Sequence, residues 1–454
     1  MKILLATYYF LYPSSNGGAT MSRVLAKGLR DAGHDVVISC IDVLVPRNKD
    51  YATGLVEQDG FKIFTVRPYD RRPGFVMPLW RMRPDPEMAA VASDILAKEK
   101  PDIVYMNACW EIGEFVFEAE KSDIPVVFHV HCFAHLCARQ FLMDGMEHIC
   151  SGPETPNKCF HCLQMKHRSI RRISERFCSF SWGKRLVQWF FDKERASSFF
   201  LQEALTEALD FSRQLRDSVD AFVVTSELIA DIHGKYGVHR QQINVLPHFL
   251  PSDRLKRFPR ELQRNENRIR LGFFGRISPE KGFDLLLDVL CKIEASLPLV
   301  FDLWIISREA DQTAIQTRLE EAGIESLRLQ VFKDITGPDL NPALANLDVC
   351  IIPSLCYEIG PLTMLEAIAQ GVPCIVSDSA GMSSVIQDGV NGRLFNAGSA
   401  EALERVLLDL LRQPDTVEKW RHCLPNISDE QNYMTSLKNI LQSVLSLQTK
   451  TGGL

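Results

Sequence analysis

Residues 349–367, VCIIPSLCYEIGPLTMLEA, decide the fold of this chain. The apolar run that ends at Pro353 predicts a strand buried on both faces, as in parallel sheets. Gly360 and Pro361 then predict a helix start, with Pro361 at the first helical position. We therefore expect a strand, a loop and a helix in succession, with the helix amides of Leu362 and Thr363 directed at an anion.

Two glutamates in this segment are candidate ligand contacts. Glu358 lies in the predicted loop, and Glu366 follows eight positions later in the predicted helix. At helical rise the two are separated by up to about 12 Å. Carboxylates that act together on one glycosidic bond lie roughly 5–9.5 Å apart. The spacing therefore favours contacts with two ends of one extended ligand, and the alternative is two ordinary surface glutamates.

A second loop places two cations between an apolar run and a predicted helix. Residues 275–282 read GRISPEKG. Arg276 offers a planar fork of donors and Lys281 a point charge, which together suit a diphosphate. The alternative is two solvated charges in a surface loop. The order of residues in a P-loop, G-x-x-x-x-G-K-[ST], is absent.

Gly17 and Gly18 open the first predicted helix of the chain. Glycines allow a backbone to approach a ligand closely, and the amides of a helix start favour an anion. The alternative is a flexible turn. Because the spacing is not G-x-G-x-x-G, the dinucleotide fingerprint is missing, which speaks against a dehydrogenase.

The chain as a whole alternates predicted strands with predicted helices, which is typical of parallel α/β sheets. Its 454 residues suggest two or three domains. We predict a first domain with an insertion, a charged linker, a second domain and a final amphipathic helix. Their predicted bounds are 1–250 with the insertion at about 132–215, 251–268, 269–425 and 426–454.

Composition excludes several classes of protein. Hydrophobic residues make up 46% of the chain and charged residues 24%, as in ordinary globular proteins rather than collagen, coiled coils or disordered chains. The formal charge of −6 argues against a nucleic-acid partner. No apolar run approaches the roughly 18 residues of a membrane helix. We interpret the apolar N-terminus as a buried strand rather than a signal peptide, so we expect a cytoplasmic protein.

The loop with Glu358 and Glu366 resembles the E-x7-E motif of retaining glycosyltransferase family 4, whose members have the GT-B fold. The resemblance continues through residues 371–377 (GVPCIVS) and 388–392 (DGVNG), and it is most specific over residues 271–396. It implies two Rossmann-like domains whose parallel sheets face each other across a cleft. It also implies a C-terminal helix that returns to the N-terminal domain.

The resemblance further implies roles for single residues. Arg276 and Lys281 would hold the donor diphosphate, Glu358 the hydroxyls of the donor sugar, and Glu366 the ribose. The other implied donor contacts are the amides of Gly360 and Leu362.

On the side of the N-terminal domain, Gly17 and Gly18 would face the reaction centre. His131, the last residue of the predicted strand Val126–His131, matches a family histidine near the transferred sugar. The implied catalytic set is therefore His131, Arg276, Lys281 and Glu358.

The family transfers a sugar from a nucleotide diphosphate with retention and without a protein nucleophile. Cations and amides stabilise the leaving phosphate. No D-x-D motif occurs, so we expect catalysis without a metal or other cofactor. By analogy, the acceptor would be a glycan or lipid-linked glycan in surface polysaccharide synthesis. The alternatives are another GT-B enzyme, such as an epimerase or phosphorylase, and a non-catalytic nucleotide-sugar-binding protein.

The insertion contains two further features. Cys137, Cys150, Cys159 and Cys162 follow the pattern C-x12-C-x8-C-x2-C, which could form a structural zinc site or remain as reduced or redox-active thiols. Residues 158–191 interleave basic and aromatic side chains. Such a face can rest on an anionic membrane, here the inner face of the plasma membrane, or can cover packed aromatics.

Overall fold

The computed structural model describes most of the chain. Of the basic and aromatic segment it describes the part before residue 165, so the predicted membrane-facing surface lies largely outside the described residues. The described residues are 1–12, 17–44, 51–68, 82–144, 148–164, 203–261, 268–294, 301–307, 311–321, 324, 327–333, 335, 340–379 and 381–451.

The N-terminal lobe is built on an eight-stranded sheet with the order β3-β4-β2-β1-β5-β6-β7-β8. Every neighbouring pair is parallel except β3 and β4. Central strand β1 pairs with β2 and β5, so Leu5 lies opposite Ile38 on one side and Tyr105 on the other. The strands are β1 Lys2–Thr7, β2 Asp35–Ile41, β3 Ala52–Gln58, β4 Phe61–Arg67, β5 Ile103–Met106, β6 Val126–His129, β7 Ala221–Val224 and β8 Ile243–Val245.

Helices cover both faces of this sheet. One face packs on α1 and the other on α2, α3, α5 and α6, and each interface is an apolar cluster. The helices of this lobe are α1 Gly17–Asp31, α2 Pro86–Glu99, α3 Glu114–Lys121, α4 Pro156–Gln164, α5 203–217 and α6 Glu227–Lys235.

The antiparallel hairpin of β3 and β4 was not predicted. Asp59 and Gly60 form its turn, and both adopt left-handed backbone conformations, with φ of 55° and 74°. An Asp-Gly pair is a strong signal for a tight hairpin turn. Strand β3 lies at the edge of the sheet and its residues are mostly exposed. Its sequence therefore lacks the alternation of apolar and polar residues that would predict a strand.

The C-terminal lobe contains a six-stranded, fully parallel sheet with the order β11-β10-β9-β12-β13-β14. Its strands are β9 Ile269–Phe274, β10 Phe301–Ile306, β11 Arg328–Phe332, β12 Val349–Ile352, β13 Cys374–Asp378 and β14 Gly392–Asn396. Its helices are α8 Phe283–Glu294, α9 Gln312–Glu321, α10 Leu340–Ala345, α11 Leu362–Ala369, α12 Ala400–Arg412 and α13 Thr416–His422.

The last helix, α14 Glu430–Thr451, crosses back to the N-terminal lobe, as predicted. It packs against α1, where Met434 lies directly over Gly28. A β-carbon at Gly28 would overlap the Met434 side chain, so the glycine permits the close approach of the two helices. Leu437 and Leu441 are fully buried in the same apolar cluster.

The described part of the connecting segment, residues 251–261, packs against the C-terminal lobe. It begins with the short helix α7 Ser252–Leu255 and then runs along the C-terminal lobe. There the Phe258 amide donates to Gln370 Oε1 (3.0 Å), and Arg260 pairs with the buried carboxylate of Asp348. Among the described residues, no helix is both long and apolar enough to cross a bilayer.

Candidate functional site

The two predicted ligand loops are joined by main-chain contacts at the carboxyl ends of β9 and β12. The amide of Leu355 donates to the carbonyl of Glu280 at 2.9 Å. Gly282 has φ +67°, and a β-carbon there would overlap the carbonyl oxygen of Pro353. Only a glycine allows this approach without strain. The structure therefore brings the Arg276–Lys281 loop and the Glu358 loop together, as the resemblance implied.

Lys281 and Glu358 form an ion pair at this junction. Lys281 Nζ lies 2.6 Å from Glu358 Oε1, and the buried Ser354 hydroxyl donates to the same oxygen at 2.6 Å. Burial alone would raise the pKa of Glu358, but Lys281 and Ser354 outweigh it and the pKa is lowered. Burial would likewise lower the pKa of Lys281, yet the Glu358 charge raises it. Both groups are therefore charged at neutral pH.

Arg276 is the more exposed cation of the site, with 57% of its side chain accessible. Its guanidinium pairs with Glu280 at 3.0 Å, four residues along the same loop. It is close enough to Glu358 to help lower the pKa of that carboxyl group. A diphosphate at this site would thus meet two cations that already have carboxylate partners.

A tight backbone contact fixes the shape of the Glu358 loop. The amide of Gly381 donates to the Glu358 carbonyl at 2.7 Å. A β-carbon at Gly381 would overlap the carbonyl oxygens of both Glu358 and Ile359. The loop after β13 and the loop after β12 can therefore pack this closely only because residue 381 is glycine.

The helix that follows starts one residue later than predicted. Pro361 is the N-cap, with extended backbone angles, and Leu362 is the first helical residue. The reason is that the carbonyl of Pro361 already accepts from the amide of Met364 (3.0 Å), as an N-cap carbonyl does. Pro361 has no side-chain group to cap the first amides, which matches the expected anion-binding helix start.

Glu366 lies on α11 but is nearly completely buried, with 2% of its side chain accessible. It pairs with Arg254 of α7, in the connecting segment. Sequence reasoning placed Glu366 at one end of an extended ligand and did not anticipate this partner, which is 112 residues away. The ribose role of Glu366 stays a prediction.

The loop that carries Glu358 also contacts the N-terminal lobe. The Thr225 hydroxyl donates to the carbonyl of Ile359, and the Tyr357 ring packs edge-on against Phe133, with ring centroids 6.1 Å apart. A β-carbon on Gly17 would lie 3.9 Å from Leu362 Cδ1. The first residues of α1 and α11 therefore lie next to each other, and the predicted role of Gly17 and Gly18 at the reaction centre stays a prediction.

His131 is held by a polar network beneath the start of α1. Its Nε2 lies 2.6 Å from Asn107 Oδ1, and Asn107 Nδ2 donates to Ser22 Oγ at 2.7 Å. Ser22 in turn donates to the carbonyl of Gly18 at 2.9 Å. His131 and Gly18 are thus linked, although β6 ends at His129, two residues earlier than predicted.

Sequence reasoning missed two other histidines beside His131. The His129 ring centroid lies 4.0 Å from that of His131, and the His248 ring is parallel to His131 at 5.6 Å. A β-carbon on Gly360 would overlap the His248 ring, so the three histidines lie beside the Glu358 loop. The alternation of His129 and His131 was a visible signal, whereas His248 follows a different strand.

Burial governs the charge of these imidazoles. It lowers the pKa of His129 and His131 well below the usual range, and neighbouring histidines lower it further. Burial also lowers the pKa of His248 to about 4. All three rings are therefore neutral at pH 7.

The four cysteines of the insertion lie close enough to influence one another. Burial raises the pKa of Cys159 to about 12, and Cys137, Cys162 and Cys150 contribute in the same direction. The amide of Gly152 donates to Cys150 Sγ at 3.3 Å. The described residues between 132 and 150 are non-helical, whereas Pro156–Gln164 and residues 203–215 of the insertion are helical.

Two family models match the two lobes. "Glycosyl transferase 4-like domain" matches residues 16–248, just over half of the chain, and "Glycosyl transferases group 1" matches residues 268–413. The boundary between the matches falls in the segment that contains α7, where the connecting segment was predicted.

Two curated proteins show partial similarity. Mannosylfructose-phosphate synthase of Agrobacterium fabrum is 27% identical over 46% of this chain and 48% of its own length. The lipopolysaccharide core biosynthesis glycosyltransferase LpsE of Rhizobium meliloti is 29% identical over 29% of this chain and 36% of its own length. The matches thus span less than half of the length of these relatives.

Similarity to a solved structure extends over the whole fold. The crystal structure of Anabaena HepE in complex with UDP superposes with a TM-score of 0.59, and the alignment covers 98% of this chain and 100% of HepE. Sequence identity is 14%, so the likeness concerns the fold. It confirms the predicted GT-B architecture of two lobes with parallel sheets.

Proposed function

This chain belongs to the family of proteins with a glycosyl transferase 4-like domain. We propose that it moves a sugar from a nucleotide-diphosphate donor to a glycan or lipid-linked glycan. One observation carries the proposal. The loop with Arg276 and Lys281 and the loop with Glu358 are hydrogen-bonded to each other, beside the uncapped start of α11. Cations and helix amides converge there at a sheet edge where α/β folds bind ligands.

In this proposal the C-terminal lobe holds the donor. Arg276 and Lys281 bind the diphosphate, together with the amides of α11, and stabilise the charge of the leaving phosphate. Glu358 accepts hydrogen bonds from the sugar hydroxyls while Lys281 and Ser354 keep it ionised. The arrangement supplies electrostatic stabilisation at the leaving group.

On the opposite side, His131 and the start of α1 contact the sugar and the acceptor. His131 is neutral, and the Asn107 side chain fixes the orientation of its ring. A neutral imidazole can accept or donate a hydrogen bond without adding charge next to the sugar. Gly17 and Gly18 leave room for the substrate because they have no side chains.

The reaction we propose retains the anomeric configuration and needs no metal ion. Arg276 and Lys281 supply the positive charge that a metal ion would otherwise bring to the diphosphate. Two measurements test this. Transfer should continue unchanged in EDTA, and NMR should show the same anomeric configuration in donor and product. An inverted product would contradict the retaining mechanism.

The donor and the reaction class can be tested directly. HepE was solved with UDP, so UDP-sugars come first in a thermal-shift panel that also contains GDP- and ADP-sugars. We expect nucleotide sugars of one base to raise the melting temperature of the protein. We also expect nucleotide release to require an acceptor. Epimerised donor without transfer would instead indicate an epimerase. Binding without any turnover, across a panel of acceptors, would indicate a binding protein.

We place the acceptor in surface polysaccharide synthesis, at the inner face of the plasma membrane. LpsE is a lipopolysaccharide core enzyme, and the sequence of residues 158–191 is basic and aromatic. Such a composition suits an anionic lipid surface. Co-sedimentation with vesicles of phosphatidylglycerol should exceed that with phosphatidylcholine. Equal recovery in both pellets would remove the membrane part of this proposal.

We also propose that the four cysteines of the insertion hold a structural zinc ion. Cys159 and Cys162 lie one turn apart on α4, and the charges of Cys137, Cys150 and Cys162 all act on Cys159. Thiols become thiolates when a cation binds them. Metal analysis of the purified chain should find zinc, and Cys159→Ser should contain one equivalent less than the wild type. Cys291→Ser, on α8 of the other lobe, is the matched control.

A further inference from the structure

We propose that His129, His131 and His248 form a second metal site, with three imidazole ligands for a transition-metal ion such as Zn²⁺. One ring nitrogen from each histidine lies within 4.8 Å of the other two. The three residues come from two strand ends, since His129 ends β6 and His248 follows β8. Neutral imidazole is the most common protein ligand for such ions.

Hydrogen bonds define which nitrogen of His131 is available. Ser22 donates its proton to the Gly18 carbonyl, so Ser22 Oγ accepts from Asn107 Nδ2. This assigns Asn107 Oδ1 to the contact with His131 Nε2, and an amide oxygen can only accept. Nε2 therefore carries the proton, and Nδ1 presents a lone pair.

The other two rings also have the expected arrangement. His129 Nδ1 lies 2.9 Å from the Tyr105 hydroxyl, whereas its Nε2 makes only a longer contact of 3.4 Å with Tyr433. Ligand histidines usually hold such an outer partner through the ring nitrogen that does not bind the metal. The Nδ1 atom of His248 is buried and has no hydrogen-bond partner among the described residues. Metal coordination by the cluster would account for that unpaired nitrogen.

The site is separate from the cysteine group in both position and chemistry. Three imidazole ligands leave one tetrahedral position for water, whereas four thiolates would close the coordination sphere. The three histidines lie beside Gly360 of the Glu358 loop, whereas the cysteines lie in the insertion. The inference concerns metal binding and does not depend on sugar transfer.

The test is titration of the metal-stripped, full-length chain with Co²⁺ and Zn²⁺, monitored by absorption and calorimetry. In Cys159→Ser, in which the proposed cysteine site is disrupted, we expect one equivalent of Co²⁺ without the strong near-ultraviolet charge-transfer band that thiolate ligands produce. His248→Asn and His131→Asn should each weaken this binding at least tenfold. His239→Asn, which changes an exposed histidine of the same lobe, should bind as the wild type does.

Circular dichroism and thermal unfolding in metal-free buffer establish that each variant is folded. One folded variant, either His248→Asn or His131→Asn, is enough to test the proposal. Cys159→Ser should keep the thiolate-free Co²⁺ signal. Equal stoichiometry and affinity in the wild type and a folded histidine variant would overturn the proposal. So would the loss of every Co²⁺ signal in Cys159→Ser, because all the metal would then belong to the thiols.

Discussion

Lys281 Nζ lies 2.6 Å from Glu358 Oε1, although the two residues are 77 positions apart. The pair joins the two loops of the proposed donor site. Because each partner holds the other in its charged form, removing either one changes both the charge and the geometry of the site.

Replacement of Lys281 should therefore almost abolish transfer. We expect Lys281→Ala to lower kcat/KM by about 10²–10³-fold or more, the usual cost of losing one preorganised electrostatic contact. Glu358→Gln should have an effect of similar size. Steady-state kinetics measure both, with Lys292→Ala as control, since Lys292 forms an exposed pair with Glu404 away from the site. Wild-type kcat/KM in either site variant would contradict the assigned roles.

The glycine behind the Glu358 loop should be needed for activity. In Gly381→Ala, the added methyl group would overlap the carbonyl oxygens of Glu358 and Ile359 and displace the loop. We expect reduced transfer and weaker donor binding. Gly234→Ala is the matched control, because no atom lies within 4 Å of the new methyl group and alanine favours the helix. Equal kinetics in the two variants would show that the close contact is not required.

The buried pair between Arg254 and Glu366 should contribute strongly to stability. Arg254→Met leaves a buried carboxylate without its partner, which typically costs about 3–5 kcal/mol in the free energy of unfolding. Arg240→Met breaks an exposed pair with Glu227 and should cost about 1 kcal/mol or less. Urea denaturation compares the two. The double variant Arg254→Met/Glu366→Leu should recover part of the loss, and no recovery would argue against an unpaired charge as the cause.

The carboxylate of Glu99 should give the N-terminal lobe a measurable acid dependence. It pairs with Lys2 at 2.9 Å and Lys62 at 2.6 Å. Burial would raise the pKa of Glu99, but both lysines outweigh it and the pKa lies below its usual 4.5. Its folded-state pKa is thus below the unfolded value, so its contribution to stability is present above about pH 4.5 and is lost as pH falls through the folded pKa.

Urea unfolding at several pH values tests this contribution. Glu99→Gln should be less stable than the wild type at pH 7, by about 1–3 kcal/mol, and the difference should shrink on acidification below pH 4.5. Glu227→Gln, at an exposed carboxylate, should show little difference at any pH. A constant deficit in Glu99→Gln from pH 7 to pH 3 would show that the charge of Glu99 is not responsible.

The sequence by itself determined the succession of strands and helices and the loops that carry Arg276, Lys281 and Glu358. These features depend on local signals, namely apolar runs and glycine or proline at element ends, which act within a few residues. The helix start predicted at Pro361 lies one residue from the observed first residue of α11, Leu362. Family resemblance supplied the cleft and the return of the last helix.

Only the tertiary structure decided which distant residues meet. The partner of Glu366 is Arg254, His131 is oriented by Asn107, and His248 joins the cluster from another strand. Each contact depends on the order of strands in a sheet, or on the approach of one lobe to the other. A local pattern does not encode such an approach, because the free energy that selects it comes from burial and pairing across the whole fold.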